Sequence, residues 1–248
     1  MSEIKLMQGD CLELIKDIPD GSVDMLLSDL PYGTTRCKWD SPLDLKEFWQ
    51  QVNRVVKENG CMALFAQTPF DKILGCSNIK NLRYEWIWEK TEATGYLNAH
   101  KMPMKAHENI LVFYRKLPTY NPQKTTGHIR KVSSAAHKRN CRKSDCYGDH
   151  GLASYDSTER FPRSVLRGAT DKRKKNGTVA QKPVWLCEKM ILTYTNEGET
   201  VLDCCMGSGS IGVACLNTGR KFIGMELDKR RFNTAVFRLA EAEKAVTG

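Results

Sequence analysis

The 248-residue sequence contains no apolar run long enough to cross a bilayer, so a helical membrane protein is not expected. Its opening residues, MSEIKLMQGD, lack the extended apolar core of a secretory leader, and a cytoplasmic protein is expected. No internal repeat is visible. The ten cysteines follow no disulfide framework, and several (Cys11, Cys61, Cys187, Cys204, Cys205, Cys215) sit in apolar stretches. Without a leader they are expected as reduced, buried thiols. Cys204 and Cys205 are adjacent, and adjacent cysteines bridge only with strain. His137, Cys141, Cys146 and His150 form a compact array, but their spacing matches no zinc pattern. A chance grouping is expected there, with no metal.

Acidic residues are scarce in one place only. Between Lys116 and Trp185 stand 16 lysines and arginines against 5 acids, whereas the remainder holds 22 against 24. All of the net charge of +9 is therefore owed to one middle segment. Such a block suits a polyanion, and nucleic acid is the expected partner. Apolar residues make up 41% of the chain, enough for a substantial core.

Strand-like and helix-like stretches alternate on either side of that segment. Residues 3–8, VDMLLSD, CMALFAQ, RYEWIWEK and NILVFYRK read as strands. LELIKDI, LDLKEFWQQVNRVVKENG and TPFDKILGCSN read as helices, the second closed by Gly60. From 117 to 176 the apolar periodicity fades. Order returns with the helix KPVWLCEKMILTYT, the strand ETVLDCC, the helix GSIGVACLNTG, the strand RKFIGMEL and a last helix from KRRF onward. The alternation predicts an α/β fold with a mostly parallel sheet and helices on both faces. The expected organisation is one domain in two halves, 1–116 and 177–248, around an insert at 117–176.

Two stretches carry chemistry. In VLDCCMGSGSIGVA a strand runs into Gly207-Ser208-Gly209 and then a helix. Glycines at that point let a ligand approach the backbone and use the helix N-terminus. Glu226 ends the next strand, 19 residues after Gly207, where a Rossmann-like site puts the acid that accepts ribose hydroxyls. No P-loop lysine is present, so a nucleoside cofactor without phosphates, S-adenosylmethionine, fits better. The other stretch is SDLPYG, in which Asp29, Leu30, Pro31 and Tyr32 follow a buried strand. A plain turn accounts for the proline and glycine but not for the acid and the ring.

SDLPYG resembles the D-P-P-Y motif of the amino-methylating DNA methyltransferases, and residues 201–209 resemble their glycine motif. The order of motifs, catalytic first, then a basic insert, then the cofactor loop, is similar to that of the beta class, which methylates adenine N6 or cytosine N4. The resemblance implies a Rossmann-like, S-adenosylmethionine-dependent enzyme that acts on DNA. It implies that Asp29 and the Leu30 carbonyl accept hydrogen bonds from the target amine, and that Pro31 fixes that carbonyl. Tyr32 would then stack on a flipped base. Leu30 stands where the family usually has proline, which costs rigidity but keeps the carbonyl. The carboxylate at Asp29 favours adenine, because cytosine enzymes more often carry serine there.

The resemblance also assigns cofactor contacts to Asp10 and Cys11 after the first strand, to Gln181-Lys182-Pro183, and to Asp203, Gly207, Ser208, Gly209 and Glu226. Asp10 reads equally as a helix N-cap. Upstream of Gln181 the usual His-Pro-Thr is replaced by Thr178-Val179-Ala180. DNA contacts are expected from Arg36 and Lys38 beside the SDLPYG loop. In the insert they are expected from Arg130, Lys131, Lys138, Arg139, Arg142, Lys143, Lys172, Arg173, Lys174 and Lys175. Trp39 is a candidate wall for the base, and Trp88 reads as core. Members of the class often dimerise, so a homodimer is among the expectations. The competing readings are cytosine-N4 methylation, a structured-RNA substrate, and a catalytically silent S-adenosylmethionine-binding regulator of DNA.

Overall fold

The computed structural model describes residues 3–34, 40–134, 154–171 and 181–247, with side chains to 245. These residues divide into two compact units, 1–121 with 164–248, and 122–163. The boundaries differ from the expected insert of 117–176. Residues 117–121 and 164–171 belong to the larger unit, and Val165–Gly168 form a strand of its sheet.

The larger unit is built on an eight-stranded sheet. In chain order its strands are β1 (Ile4–Gln8), β2 (Val23–Ser28), β3 (Val56–Ala66), β4 (Leu82–Thr94), β5 (Lys105–Phe113), β8 (Val165–Gly168), β9 (Thr200–Asp203) and β10 (Lys221–Glu226). In space they run β1-β10-β9-β2-β3-β5-β4-β8. Every pairing is parallel except those of β5, which lies antiparallel between β3 and β4. The mostly parallel α/β sheet expected from the sequence is present.

Side chains alternate across the sheet and feed two cores. Met25 and Leu27 of β2 join one core, with α4 (Val184–Tyr194), α5 (Ser210–Thr218) and α6 (Lys229–Thr247) on that face. Leu26 points into the other, with α1 (Cys11–Leu14), α2 (Leu45–Val55) and α3 (Phe70–Ser77). Both faces are covered, so the middle of β2 is apolar at consecutive positions, Met25-Leu26-Leu27, all fully buried.

One helix is shorter than its periodicity suggests. The stretch ending VVKENG is expected to stay helical to Gly60, but α2 stops at Val55 and β3 begins at Val56. The β-branched pair Val55-Val56 suits the change of state. Strand pairing holds the rest extended, and the Lys57 ammonium meets Asp24 at 2.5 Å. LELIKDI is likewise only partly α-helical, tightening into a 3₁₀ turn over Ile15–Asp17. No described helix is long and apolar enough to cross a membrane.

The smaller unit contains a two-stranded antiparallel ribbon, β6 (Lys131–Ser133) with β7 (Tyr155–Ser157). Arg130 donates two hydrogen bonds to the Asp156 carboxylate, at 2.7 and 2.6 Å, and Lys124 pairs with Glu159 at 2.8 Å.

Candidate active site

The order of the strands locates the site. From β9 the chain moves to β10 on one side, and from β2 it moves to β3 on the other. β2 and β9 are hydrogen-bonded neighbours, so the crevice beyond their carboxyl ends is the switch point where doubly wound sheets take ligands. Ser28 ends β2 and Asp203 ends β9. The Ser28 hydroxyl donates to Asp203 Oδ1 at 2.7 Å, which joins the SDLPYG corner to the glycine loop across 175 residues of sequence. Beyond them lies a cavity of about 760 Å³, within the range of small-molecule sites. Asp29, Leu30, Pro31 and Tyr32 line it together with Asp203, Gly207, Ser208 and Glu226.

On the side of the SDLPYG corner, the Asp29 carboxylate is held at both oxygens. The Tyr32 hydroxyl donates to Oδ1 at 2.6 Å, and the Lys182 ammonium lies 2.6 Å from Oδ2. Burial pushes the Asp29 carboxyl up from its ordinary value, against the opposing pull of Lys182. Lys182 is only 9% exposed. Burial alone would favour its neutral form, but Asp29 and Glu108 outweigh that and hold the ammonium firmly charged. One face of Tyr32 is covered by Phe70, with ring centroids 5.1 Å apart and planes 23° from parallel. Any stacking partner must take the opposite face.

Leu30 is 2% exposed and packs in the core with Cys11, Phe70 and Leu202. The side chain that departs from the family pattern thus anchors the loop from below. Asp40 closes the corner, its carboxylate accepting from the Gly33 and Thr34 N–H groups at 2.8 and 2.9 Å. Gly33 has φ 66°, and a Cβ there would stand 2.4 Å from Pro42, so both conformation and space require glycine.

On the side of the glycine loop, Glu226 is pinned by backbone donors. Its carboxylate accepts from Gly207 N–H at 2.9 Å and from Asp228 N–H at 2.8 Å, one to each oxygen. Each oxygen keeps a lone pair for a ligand donor. Asp203 accepts from Ser28 and from Cys205 N–H at 3.0 Å, and burial still drives its carboxyl up to about 7. Asp10 caps α1, accepting from Leu12 N–H at 2.9 Å, and also lines the cavity. Gly207 has φ 54° and open space where a Cβ would stand, so a side chain there would take room from the crevice.

An acid oriented by two N–H groups, an open glycine backbone and a crevice of nucleoside size fit S-adenosylmethionine. Among the described residues no cluster of His, Cys, Asp and Glu is arranged to hold a metal ion.

Most of the expected positions converge. Cys11, Gln181 and Lys182 line the same cavity, whereas Pro183 caps α4 and Gly209 caps α5 from outside the lining. Lys182 directs its ammonium to Asp29 and Glu108 at the edge of that cavity. Trp88 is core, donating to Gly168 C=O at 3.0 Å. Arg130 is engaged with Asp156, and Lys131 is exposed on β6. Arg36, Lys38, Trp39, Lys138, Arg139, Arg142, Lys143, Lys172, Arg173, Lys174 and Lys175 lie outside the described residues, as do His137, Cys141, Cys146 and His150.

The sequence reading passed over three contributors. Glu108 of β5 lines the cavity and pairs with Lys90 at 2.5 Å. Arg238 of α6 donates to Ser208 C=O and Oγ at 2.6 and 2.8 Å. Asp40 is the third. A charged residue opening the buried run NILVF was the one visible sign, at Glu108. Arg238 gave none.

Comparison with known proteins agrees with this geometry. The family model for DNA methylase of the N6/N4 type matches residues 23–237. The chain is 26% identical over 260 residues to the type II methyltransferase M1.MboII of Moraxella bovis, covering 96% of this chain and 97% of that one. It is 27% identical over 247 residues to the DNA adenine methyltransferase YhdJ of Escherichia coli strain K12, covering 94% and 82%. Among solved structures, the M1.HpyAVI–SAM complex superposes with a TM-score of 0.64 at 26% identity, over 95% of this chain and 100% of that one. The chain belongs to the N6/N4 DNA methylase family and is an S-adenosylmethionine-dependent DNA amino-methyltransferase.

Proposed function

We propose that the chain methylates adenine N6 of a base flipped out of DNA, at sites read by its basic middle segment. The observation that carries this reading is the Ser28–Asp203 junction, which brings the SDLPYG corner and the glycine loop to one cavity. S-adenosylmethionine, when bound, supplies an electrophilic sulfonium methyl. Glu226 accepts from the ribose hydroxyls, and Asp10 and Cys11 face the adenine end. Asp203, Ser208 and Gln181 face the amino-acid end, with Arg238 holding Ser208 in place.

The exocyclic amine of adenine is a poor nucleophile, because its lone pair is delocalised into the ring. Asp29 accepts a hydrogen bond from one N–H and the Leu30 carbonyl from the other. Together they draw the nitrogen towards tetrahedral geometry and stabilise the positive charge that develops there. Tyr32, stacked on Phe70 and with the Lys182 ammonium 5.7 Å from its ring centre, offers the base the ring area these leave open. Asp29, rather than a neutral serine, supports adenine over cytosine, and YhdJ is by name an adenine enzyme. Cytosine N4 is the second reading, since the family includes both activities. Lys131 and the basic residues of 138–143 and 172–175 supply phosphate contacts. Arg36 and Lys38 do so near the flipped base.

Sequencing DNA from cells that express the protein, with detection of modified bases, tests base and site together. N6-methyladenine at one recurring sequence is expected. N4-methylcytosine would replace adenine by the second reading.

A further inference from the structure

Four charged side chains from distant parts of the chain meet beneath the SDLPYG corner in alternating sign. The Lys90 ammonium touches Glu108 Oε1 at 2.5 Å and lies 5.1 Å from the Trp88 ring centre. Glu108 Oε2 meets the Lys182 ammonium at 3.2 Å, without the alignment of a hydrogen bond. Lys182 reaches Asp29 at 2.6 Å. Lys182 and Glu108 are 9% and 8% exposed, so water screens these pairs little. A buried ion pair seldom adds net stability over an apolar replacement, and four charges lined up against a catalytic corner call for another use.

We propose that Lys182 is a positioning residue for methyl transfer, not a cofactor ligand, and that Glu108, anchored by Lys90, aims it at Asp29. The inference rests on the reading of Asp29 as the acceptor of the target amine. With Lys182 on Oδ2 and Tyr32 on Oδ1, the carboxylate plane is fixed before substrate arrives. Each oxygen retains a lone pair, so the amine meets an oriented acceptor.

The lysine also keeps that acceptor ionised. Among the described residues, the groups that bear on Asp29 are Lys182 ahead of α4, Glu108 from β5, Tyr32 from its own loop, Asp203 from β9 and Cys187 from α4. Burial and Glu108 favour the protonated acid, and Lys182 opposes them. A protonated Asp29 loses its charge, so the acid limb of the pH–rate profile reports it. The two partners must therefore displace that limb in opposite directions. Removing the cation raises it, and removing the second carboxylate lowers it.

The test measures single-turnover methyl transfer from S-adenosylmethionine to duplex DNA across pH, with cofactor affinity measured by calorimetry on the same preparations. Wild type must transfer methyl and lose activity when Asp29 is replaced; otherwise the functional reading fails, separately from this one. Lys182→Met is expected to lose transfer about 100-fold at neutral pH and to shift the acid limb upward. Its affinity for S-adenosylmethionine should stay within about threefold of wild type. Lys182→Arg is expected to restore the limb, and Glu108→Gln to move it downward with a smaller loss of rate. Should Lys182→Met not fold, the downward shift in Glu108→Gln decides alone. The proposal is overturned if Lys182→Met loses cofactor binding in step with rate, or keeps wild-type rate and limb. An acid limb unmoved or raised in Glu108→Gln overturns it too.

Discussion

The two halves of the cavity hold their carboxylates by different means. In the cofactor half, Glu226 is gripped by two backbone N–H groups, and Asp203 by a backbone N–H and a neighbouring hydroxyl. In the acceptor half, among the described residues, Asp29 is gripped by two side chains, a phenol and an ammonium, and the ammonium is steadied by a further ion pair with Glu108. Backbone donors come with the local fold and survive any side-chain change short of proline. A side-chain donor can carry charge, as Lys182 does, and so can tune protonation at the place where positive charge develops. The difference separates binding from chemistry, and substitutions on the two sides should separate in the same way.

The sharpest break is at Asp29. Asp29→Ala should lower methyl transfer about 100- to 1,000-fold while calorimetry shows S-adenosylmethionine binding largely intact. Glu226→Gln should do the reverse, weakening cofactor affinity about 10- to 100-fold through loss of a charged acceptor. Its rate at saturating cofactor should stay close to wild type. Loss of both quantities in either variant would dissolve the distinction.

Asp203 sharpens the comparison by pH. Its folded carboxyl titrates at about 7, against an ordinary value of 3.8. From pH 4 to 7 the folded state therefore keeps a proton that the unfolded chain has lost, and stability falls as pH rises through that window. Asp203→Asn should raise the Tm of the cofactor-free protein by roughly 10 °C at pH 8 and leave it unchanged at pH 3. The smallest effect is at Gly207, where φ is 54°. Gly207→Ala should cost about 1–2 kcal/mol of backbone strain, a Tm loss of about 2–8 °C in a chain of this size. Scanning calorimetry reads both.

What was legible in the sequence divides along the same line. The strand, glycine loop, helix and following acid lie within one contiguous stretch, so Gly207 and Glu226 could be read from spacing. The Asp29 corner could be recognised as a motif, but its supports could not. Lys90, Glu108 and Lys182 meet only because β4, β5 and the start of α4 are brought together by the sheet order. For Lys182 the sequence gives the neighbours Gln181 and Pro183 but not the direction of its ammonium, which meets Asp29. Leu30 looked like a loss of rigidity because its burial was invisible. The α2–β3 boundary was missed because VVKENG carries both a helical charge pattern and a β-branched pair, and strand pairing decides between them.

The most direct test of the central claim uses purified protein, duplex DNA and methyl-labelled S-adenosylmethionine, followed by digestion to nucleosides and separation of the methylated bases. The account expects label in N6-methyladenine, abolished by Asp29→Ala. Label that persists in that variant, or no transfer by a wild-type protein that binds both cofactor and DNA, would contradict it.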